Sequence, residues 1–498
     1  MLLESAIADL PADLRWLFES RAVTIEQLAA LHQALGVTSV ADLRAAVNEH
    51  AICRVAGMDE AIETAVSAAL PDLRTAVPRI PLGRAVAVSE PILARLRSLA
   101  GIVWAVAAGS LRRGQETVGD IELVAAASNP SAAVDELLRA SDASRCLHRS
   151  ERRVYLLFER TQVGVRLAEP SNAGATLLNA TGSVGHLEAL GACARTKGFH
   201  LTAEGLHGAD GTLKRAATEE EIYGALGLPF VPPEIRHGQD EVAAALAGTL
   251  PALLSRTDIR GDLHMHTEWS DGRDSIEAMV ETARTLGYEY VAITDHSPRA
   301  AAVRTVSPDS LAQQAEEIAR VGERYPDVTI LRGCEVDILP DGRLDLADRV
   351  LERLDIVLAS LHEHAGQSPD QLFWRYTEAL KHPLVTMVAH PTNRLLPNRA
   401  GYRLDYDRLF ELAAETGTVF EIDGAPAHLD LDGTLARKAI TAGVALAVSS
   451  DSHRADLLDR QMALGVITAR RGWVEPRHVL NTRSLAEVRA IVARKRGR

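Results

Sequence analysis

The sequence predicts a multidomain chain, with an N-terminal α+β half followed by a C-terminal α/β half of seven βα units. Three observations predict it. The 498 residues are 47% apolar and 24% charged, an ordinary globular composition that is long enough for several cores. Strands are sparse before residue 256 and recur regularly after it. Ten of the 17 histidines fall beyond Arg256, several of them beside carboxylates. This composition excludes a disordered, collagen-like or disulfide-scaffold chain. A net charge of −13 leaves no global basic field for nucleic acid, so such a substrate would have to be gripped locally. The four cysteines, Cys53, Cys146, Cys193 and Cys334, form no CxxC and read as reduced thiols. The opening MLLESAIADLPADL is acidic and unlike a signal peptide, and no apolar run reaches spanning length. The expectation is a soluble cytoplasmic protein with no membrane partner.

Residues 1 to about 75 read as amphipathic helices, such as TIEQLAALHQALG and SVADLRAAVNEH. From 80 to about 170 strands enter, as GIVWAVAAGS, GDIELVAAA, RRVYLLFE and QVGVRLA. A helical stretch follows and is broken at PFVPP. After Asp258 the strands IRGDLHMH, YVAITDHS, VTILRGCEVDI, DIVLASLHEH, LVTMVAHP, TVFEIDG and ALAVSSDSH alternate with helices such as SIEAMVETARTLG. Near-continuous apolar strands of this kind belong to a parallel sheet covered by helices and closed into a barrel. The basic tail RKRGR reads as a solvated terminus or a weak phosphate contact.

Each of these strands ends in polar, metal-capable residues: His264 and His266, Asp295 and His296, Glu335, His362, His390, Asp423, then Asp451 and His453. The C-terminal strand ends of such a barrel converge on one face, where active sites are built. His264 and His266, two apart, point to the same side, and Asp271 in the following loop can fold back over that mouth. Burying so many titratable groups without a metal would cost several kcal/mol. Imidazole and carboxylate without thiolate suit Zn, Mn or Fe, and the number of donors points to a multinuclear centre.

HMHTEWSDG, ITDHS, GCEVDILPDG, ASLHEH, AHPTNR and SSDSH resemble the motif series of the PHP (polymerase and histidinol phosphatase) family across roughly residues 256–485. The resemblance implies a distorted seven-stranded barrel, a PHP barrel spanning 256–498, with three divalent metal ions. His264, His266 and Asp451 would hold one ion, and Glu335 would bridge it to a second completed by His362 and His390. Asp271, His296 and His453 would hold the third. Such a centre suits phosphate-ester hydrolysis, with His264, His266, Glu335 and Asp451 central to it. Arg394 is a candidate for binding the substrate phosphate as a planar fork.

Upstream, AAGSLRRGQETVGDIELV joins a Gly-Ser turn to a strand with alternating acids. Gly109 and Ser110 could offer N–H groups to a phosphate, and Asp120 and Glu122 could share a magnesium ion. Together with ATGSVGHLEALGACARTKGFHLTAEGL and EEEIYGALGLPFVPPEIR, this resembles the nucleotidyltransferase palm of family X DNA polymerases, which in bacteria carry a C-terminal PHP domain. The implied layout is a helical fingers-like remnant at 1–78 and palm and thumb at 79–250. Ser110, Arg113, Gly119, Asp120 and Glu122 sit at the nucleotide site. The departures from that family are specific. Gly164 stands at the third catalytic carboxylate, and Asn179 and Ala180 at an aromatic pair. The chain begins near the fingers, and no lysine precedes Lys197 for a lyase Schiff base. The helix-hairpin-helix expected near Arg21–Leu31 lacks its glycine.

The expectation is a metal-dependent phosphoesterase acting on DNA 3′ ends, gapped or single-stranded, as a 3′–5′ exonuclease or end-processing enzyme in repair. Its palm would be inactive in nucleotide transfer, with Mg relevant only if the palm works. Two alternatives stay open: a family X polymerase with retained polymerase activity, and a small-molecule phosphatase of histidinol-phosphate or nucleotide type.

Overall fold

The computed structural model describes residues 23–70, 79–140, 145–158, 161–300, 304–362 and 366–497. The chain divides into two compact units. One comprises Met1–Ile80, Val88–Ala107 and Gly119–Pro170, the other Pro81–Ala87, Ala108–Val118 and Ser171–Arg498.

In the first unit, helices Ile25–Leu35, Val40–Asn48 and Glu60–Ala69 pack around Leu28, Leu31, Leu43, Ile52 and Val66. Thr24 with Gln27, and Ser39 with Asp42, close capping boxes at the first two helix starts. The first helix continues unbroken to Gly36, whose φ of +63° ends it. Ile25–Leu35 therefore holds no hairpin turn, while residues 21 and 22 lie outside the described residues.

The five-stranded sheet is formed by β1 (Ile102–Ala107), β2 (Ile121–Ala127), β3 (Arg145–Arg149), β4 (Arg153–Phe158) and β5 (Thr161–Ala168), in the order β1-β2-β5-β4-β3. The β2–β5 pair is parallel and sets Glu122 opposite Gly164. The sequence reading lacks β3, because RCLHR is a half-exposed edge strand with no apolar alternation.

In the second unit, helices Ala173–Thr181, Val184–Thr196 and Glu219–Ala225 pack with a small antiparallel sheet. Its strands are β6 (Phe199–Thr202), β7 (Gly205–Gly208) and β8 (Leu213–Lys214). These strands are too short for a period-2 signal, and the sequence reading passed over them as part of a helical stretch. Arg236 is fully buried and donates to Glu219 at 2.6 Å, while Arg112 donates to the other oxygen of that carboxylate at 2.6 Å.

The barrel follows in the same unit. Its strands are β9 (Gly261–Asp262), β10 (Tyr290–Ile293), β11 (Thr329–Asp337), β12 (Ile356–Ser360), β13 (Met387–Val388), β14 (Val419–Asp423) and β15 (Leu446–Ser449). They pair in sequence order and in parallel. An α/β barrel normally has eight strands, and here the gap between first and last is filled by a side chain. Asn481, fully buried, donates to Gly261 O at 2.8 Å and Val448 O at 2.7 Å and accepts from Val448 N at 3.0 Å. Toward the mouth the seam closes by backbone, with Met265 bridging Ser452. The basic tail is not free: Lys495 Nζ donates to Thr418 Oγ1 at 2.7 Å and to Leu380 O and Thr416 O, each at 3.2 Å. Arg496 donates to Leu354 O at 3.0 Å. Among the described residues no helix is long and apolar enough to cross a membrane.

Asn481→Ala leaves two buried carbonyls and one N–H unpaired at the seam. It should lower unfolding stability by about 2–4 kcal/mol, measured by urea denaturation monitored by circular dichroism.

Candidate metal centre

The mouth is assembled around one carboxylate. Glu335 sits near the end of β11, fully buried. Its Oε1 lies 2.7 Å from His390 Nε2 and 3.4 Å from His362 Nε2. Its Oε2 lies 2.8 Å from His296 Nδ1, 3.4 Å from His264 Nε2 and 3.5 Å from His266 Nε2. Five histidines from four strand ends thus converge on one side chain, His264 and His266 following the same strand.

The other acids complete the ring. Asp451 Oδ1 is 3.1 Å from His266 Nε2 and 3.6 Å from His264 Nε2. Asp271 Oδ1 lies 3.2 Å from His453 Nε2 and 3.4 Å from His296 Nε2. The His266 ring stacks on His296 at 4.2 Å and on His453 at 4.3 Å. Donor atoms within 4.8 Å of one another form the groups His264–His266–Asp451, His266–Asp271–His296–His453 and His296–Glu335–His362. The nine residues singled out from the motifs are therefore together, but His266 and His296 each reach two groups.

The chemistry of these donors suits a cation. His264 Nε2 and His266 Nε2 face each other at 3.0 Å, a contact that brings two lone pairs together unless a proton or cation lies between them. Burial opposes charge on Glu335, yet His296, His362, His390 and His264 hold its carboxyl well below the usual range. Burial and the neighbouring His296 and His453 push His266 down to about 3. Against burial, Glu335 and Asp271 raise His296 to about 10, and Glu335 raises His390 to about 9. Positive charge is drawn into this mouth wherever a carboxylate faces it. His390 and Asp451 adopt φ of +28° and +49°, unusual for side-chain-bearing residues and common where a site over-determines the backbone.

Several partners were not foreseen from the sequence. Glu421 accepts from His264 Nδ1 at 2.8 Å and from the His390 amide at 2.8 Å. Asp337 sits 2.9 Å from His362 Nδ1. Such carboxylates fix ring orientation and tautomer. Their signal is present in FEID and CEVD, two residues from candidates already chosen, but period alone does not say which acid faces a ring. Asp423, whose role the sequence left open, groups instead with His428 and Asp451. His428 was missed altogether, and burial together with His390 pushes it down to about 4. Asp295 accepts from Thr267 N at 2.8 Å, Thr267 Oγ1 at 2.7 Å, Gln314 Nε2 at 2.7 Å and Ser270 Oγ at 2.5 Å. It anchors the loop that carries Asp271.

Arg394 differs from expectation. Its guanidinium donates to His428 O at 2.8 Å and to Leu429 O, and lies 3.6 Å from Asp432. The fork anticipated for a substrate phosphate is directed at backbone carbonyls, which outcompete water for a half-buried arginine.

The upstream candidates fall in separate units. In the second unit, Ser110 lies in the short helix Gly109–Arg112, and the Arg113 guanidinium donates to Thr181 O. In the first unit, Gly119 and Asp120 form the bend before β2, and Glu122 lies on β2. Arg153 donates to Glu122 Oε1 at 3.2 Å and stacks over Tyr155 at 4.5 Å. A Cβ at Gly164 would come within 2.7 Å of Glu122 Oε1 and 2.8 Å of Tyr155, so no carboxylate fits there without displacing both.

Asp295→Ala strips four donors of their acceptor. An expected loss of about 3–5 kcal/mol, with faster amide exchange at Thr267, is measurable by denaturation and hydrogen-exchange mass spectrometry.

Comparison with known proteins agrees with this geometry. A family model described as the PHP domain matches residues 262–425, and one described as DNA polymerase beta thumb matches residues 176–237. The chain is 36% identical over 496 residues to the DNA polymerase/3′-5′ exonuclease PolX of Bacillus subtilis, covering 99% of this chain and 86% of that protein. It is 31% identical over 212 residues to a protein of Caldanaerobacter subterraneus named as a probable phosphatase, covering 40% of this chain and 78% of the relative. A similarly named protein of Thermoanaerobacter pseudethanolicus is 31% identical over 206 residues, 39% of this chain and 78% of the relative. With fold, motif series and near full-length similarity in agreement, the chain belongs to the family X DNA polymerases that carry a PHP domain.

Proposed function

We propose that the barrel mouth is a metal-dependent phosphoesterase that removes nucleotides from DNA 3′ ends, as a 3′–5′ exonuclease or end-processing enzyme in cytoplasmic DNA repair. The observation that carries this reading is the convergence of five histidines on the buried Glu335 carboxylate. His264, His266, Asp271, His296, Glu335, His362, His390, Asp451 and His453 would hold up to three divalent ions of the Mn, Zn or Fe type. The fit rests on the donor chemistry and on His266 Nδ1 and His390 Nδ1, buried ring nitrogens with no hydrogen-bond partner among the described residues. Bound divalent ions would polarise the scissile phosphate and make water a stronger nucleophile. The chain's own part is positional. Glu421 turns His264 into the mouth, Asp337 aims His362, and Asp295 holds the loop of Asp271 over the opening. The bound substrate would be DNA, in keeping with the polymerase beta thumb match and the printed activity of the Bacillus relative.

The palm is read as inactive in nucleotide transfer. Two-metal transfer needs carboxylates free to bind cations. Here an arginine neutralises Glu122, and its partner across the strand pair is Gly164. The similarity to proteins named as phosphatases favours, as a second reading, a small phosphate ester as substrate.

Full-length protein loaded with Mn²⁺ should release nucleotides from a labelled single strand and from a primed duplex. His264→Ala should cut the rate by a factor of about 10³ or more, on the scale of lost metal catalysis, while Asp120→Ala leaves it unchanged. The DNA reaction should weaken steeply between low and high salt, whereas KM for a small phosphate ester should hardly move. Robust extension of gapped DNA with Mg²⁺ or Mn²⁺ would overturn the inactive-palm reading. Glu421→Gln should weaken Mn²⁺ binding about 10–100-fold, read by competition with a chelator dye.

A further inference from the structure

Beside the ring around Glu335 lies a second set of donors that the proposed three-ion centre does not use. Asp423 ends β14 and is fully buried. Its Oδ1 accepts from the Ala425 amide at 2.6 Å. Its Oδ2, also buried, has no hydrogen-bond partner among the described residues. An ionised carboxylate needs a donor at that oxygen, and a protonated one needs an acceptor; neither is provided. His428 Nδ1 is likewise buried and without a partner. Donor atoms of Asp423, His428 and Asp451 lie within 4.8 Å of one another.

Two features hold His428 there. Its ring stacks on His390 with centroids 5.4 Å apart and planes 24° apart. Arg394 grips the carbonyls of His428 and Leu429. Leu429 is in the left-handed region at φ +47°, a strained conformation for a residue that carries a side chain. The arginine thus acts as a positioning residue for the turn that presents the imidazole.

We propose that Asp423, His428 and Asp451 form a further divalent-cation position, additional to the three-ion centre and sharing Asp451 with it. A carboxylate has two oxygens, and Oδ1 of Asp451 already faces His264 and His266. One imidazole and two carboxylates suit Zn²⁺ or Mn²⁺. Three protein donors leave open positions for water or a substrate phosphate oxygen. This inference rests on the reading of the mouth as a metal centre, and the test separates the two.

The full chain is stripped with chelator and dialysed against Mn²⁺ or Zn²⁺. Bound metal per chain is then counted by inductively coupled plasma mass spectrometry for the wild type, Asp423→Asn, His428→Ala and His264→Ala. The expected result is one equivalent fewer in both Asp423→Asn and His428→Ala than in the wild type. Circular dichroism checks folding; should Asp423→Asn not fold, the less buried His428→Ala decides. Equal metal content in the wild type, Asp423→Asn and His428→Ala, with loss in His264→Ala, overturns this position and leaves the three-ion centre standing. Absence of stoichiometric metal in the wild type overturns both.

Discussion

The buried carboxylate of Glu335 is the constraint on which the rest of the barrel depends. A lone ionised carboxylate at full burial is among the costliest groups a fold can hold. The chain offsets it with five imidazoles from four strand ends. Each imidazole then needs its own ring orientation, which brings in Glu421 and Asp337, and the Asp271 loop needs an anchor, which brings in Asp295. The polar mouth is therefore a set of nested obligations in which each shell exists to satisfy the one inside it. A cation meets the whole set at once.

That arrangement requires strands that end at the same height, and the barrel achieves this with seven. An eighth strand is replaced at the base by the amide of Asn481, which mimics a strand by offering both donor and acceptor to its two neighbours. Higher up, β15 and the extension of β9 meet directly through Met265 and Ser452. This brings Asp451 beside His264 and His266. Closure of the barrel is what lets residues from the first and last strands gather in one group of donors, and the seam is thus part of the site's construction.

The two halves of the chain treat their acids in opposite ways. At the barrel mouth, carboxylates face imidazoles, which can exchange a proton for a metal ion. In the first unit, Glu122 faces the guanidinium of Arg153, which cannot be displaced by deprotonation. The close approach of Gly164 to Glu122 and Tyr155 removes room for another acid. Similar side chains on similar strands are therefore poised for cations in one half and neutralised in the other.

Much of this was legible in the sequence. Apolar runs at regular spacing declare parallel strands, and strand-end histidines declare a metal-capable mouth, because period and residue type are local properties. The clustering of all nine candidate donors follows from the rule that barrel strand ends converge. Contacts between distant segments were not legible. Glu421 meets His264 across 157 residues of sequence, and Asn481 meets Gly261 across 220. The turn of Arg394 toward carbonyls, the pairing of Arg153 with Glu122 and the gathering of Asp423, His428 and Asp451 are of the same kind. By itself, then, the sequence determined which residues can bind, through composition and spacing. Only the tertiary structure decided which of them face one another, because barrel closure and side-chain competition for buried partners are set by distances that no local pattern encodes.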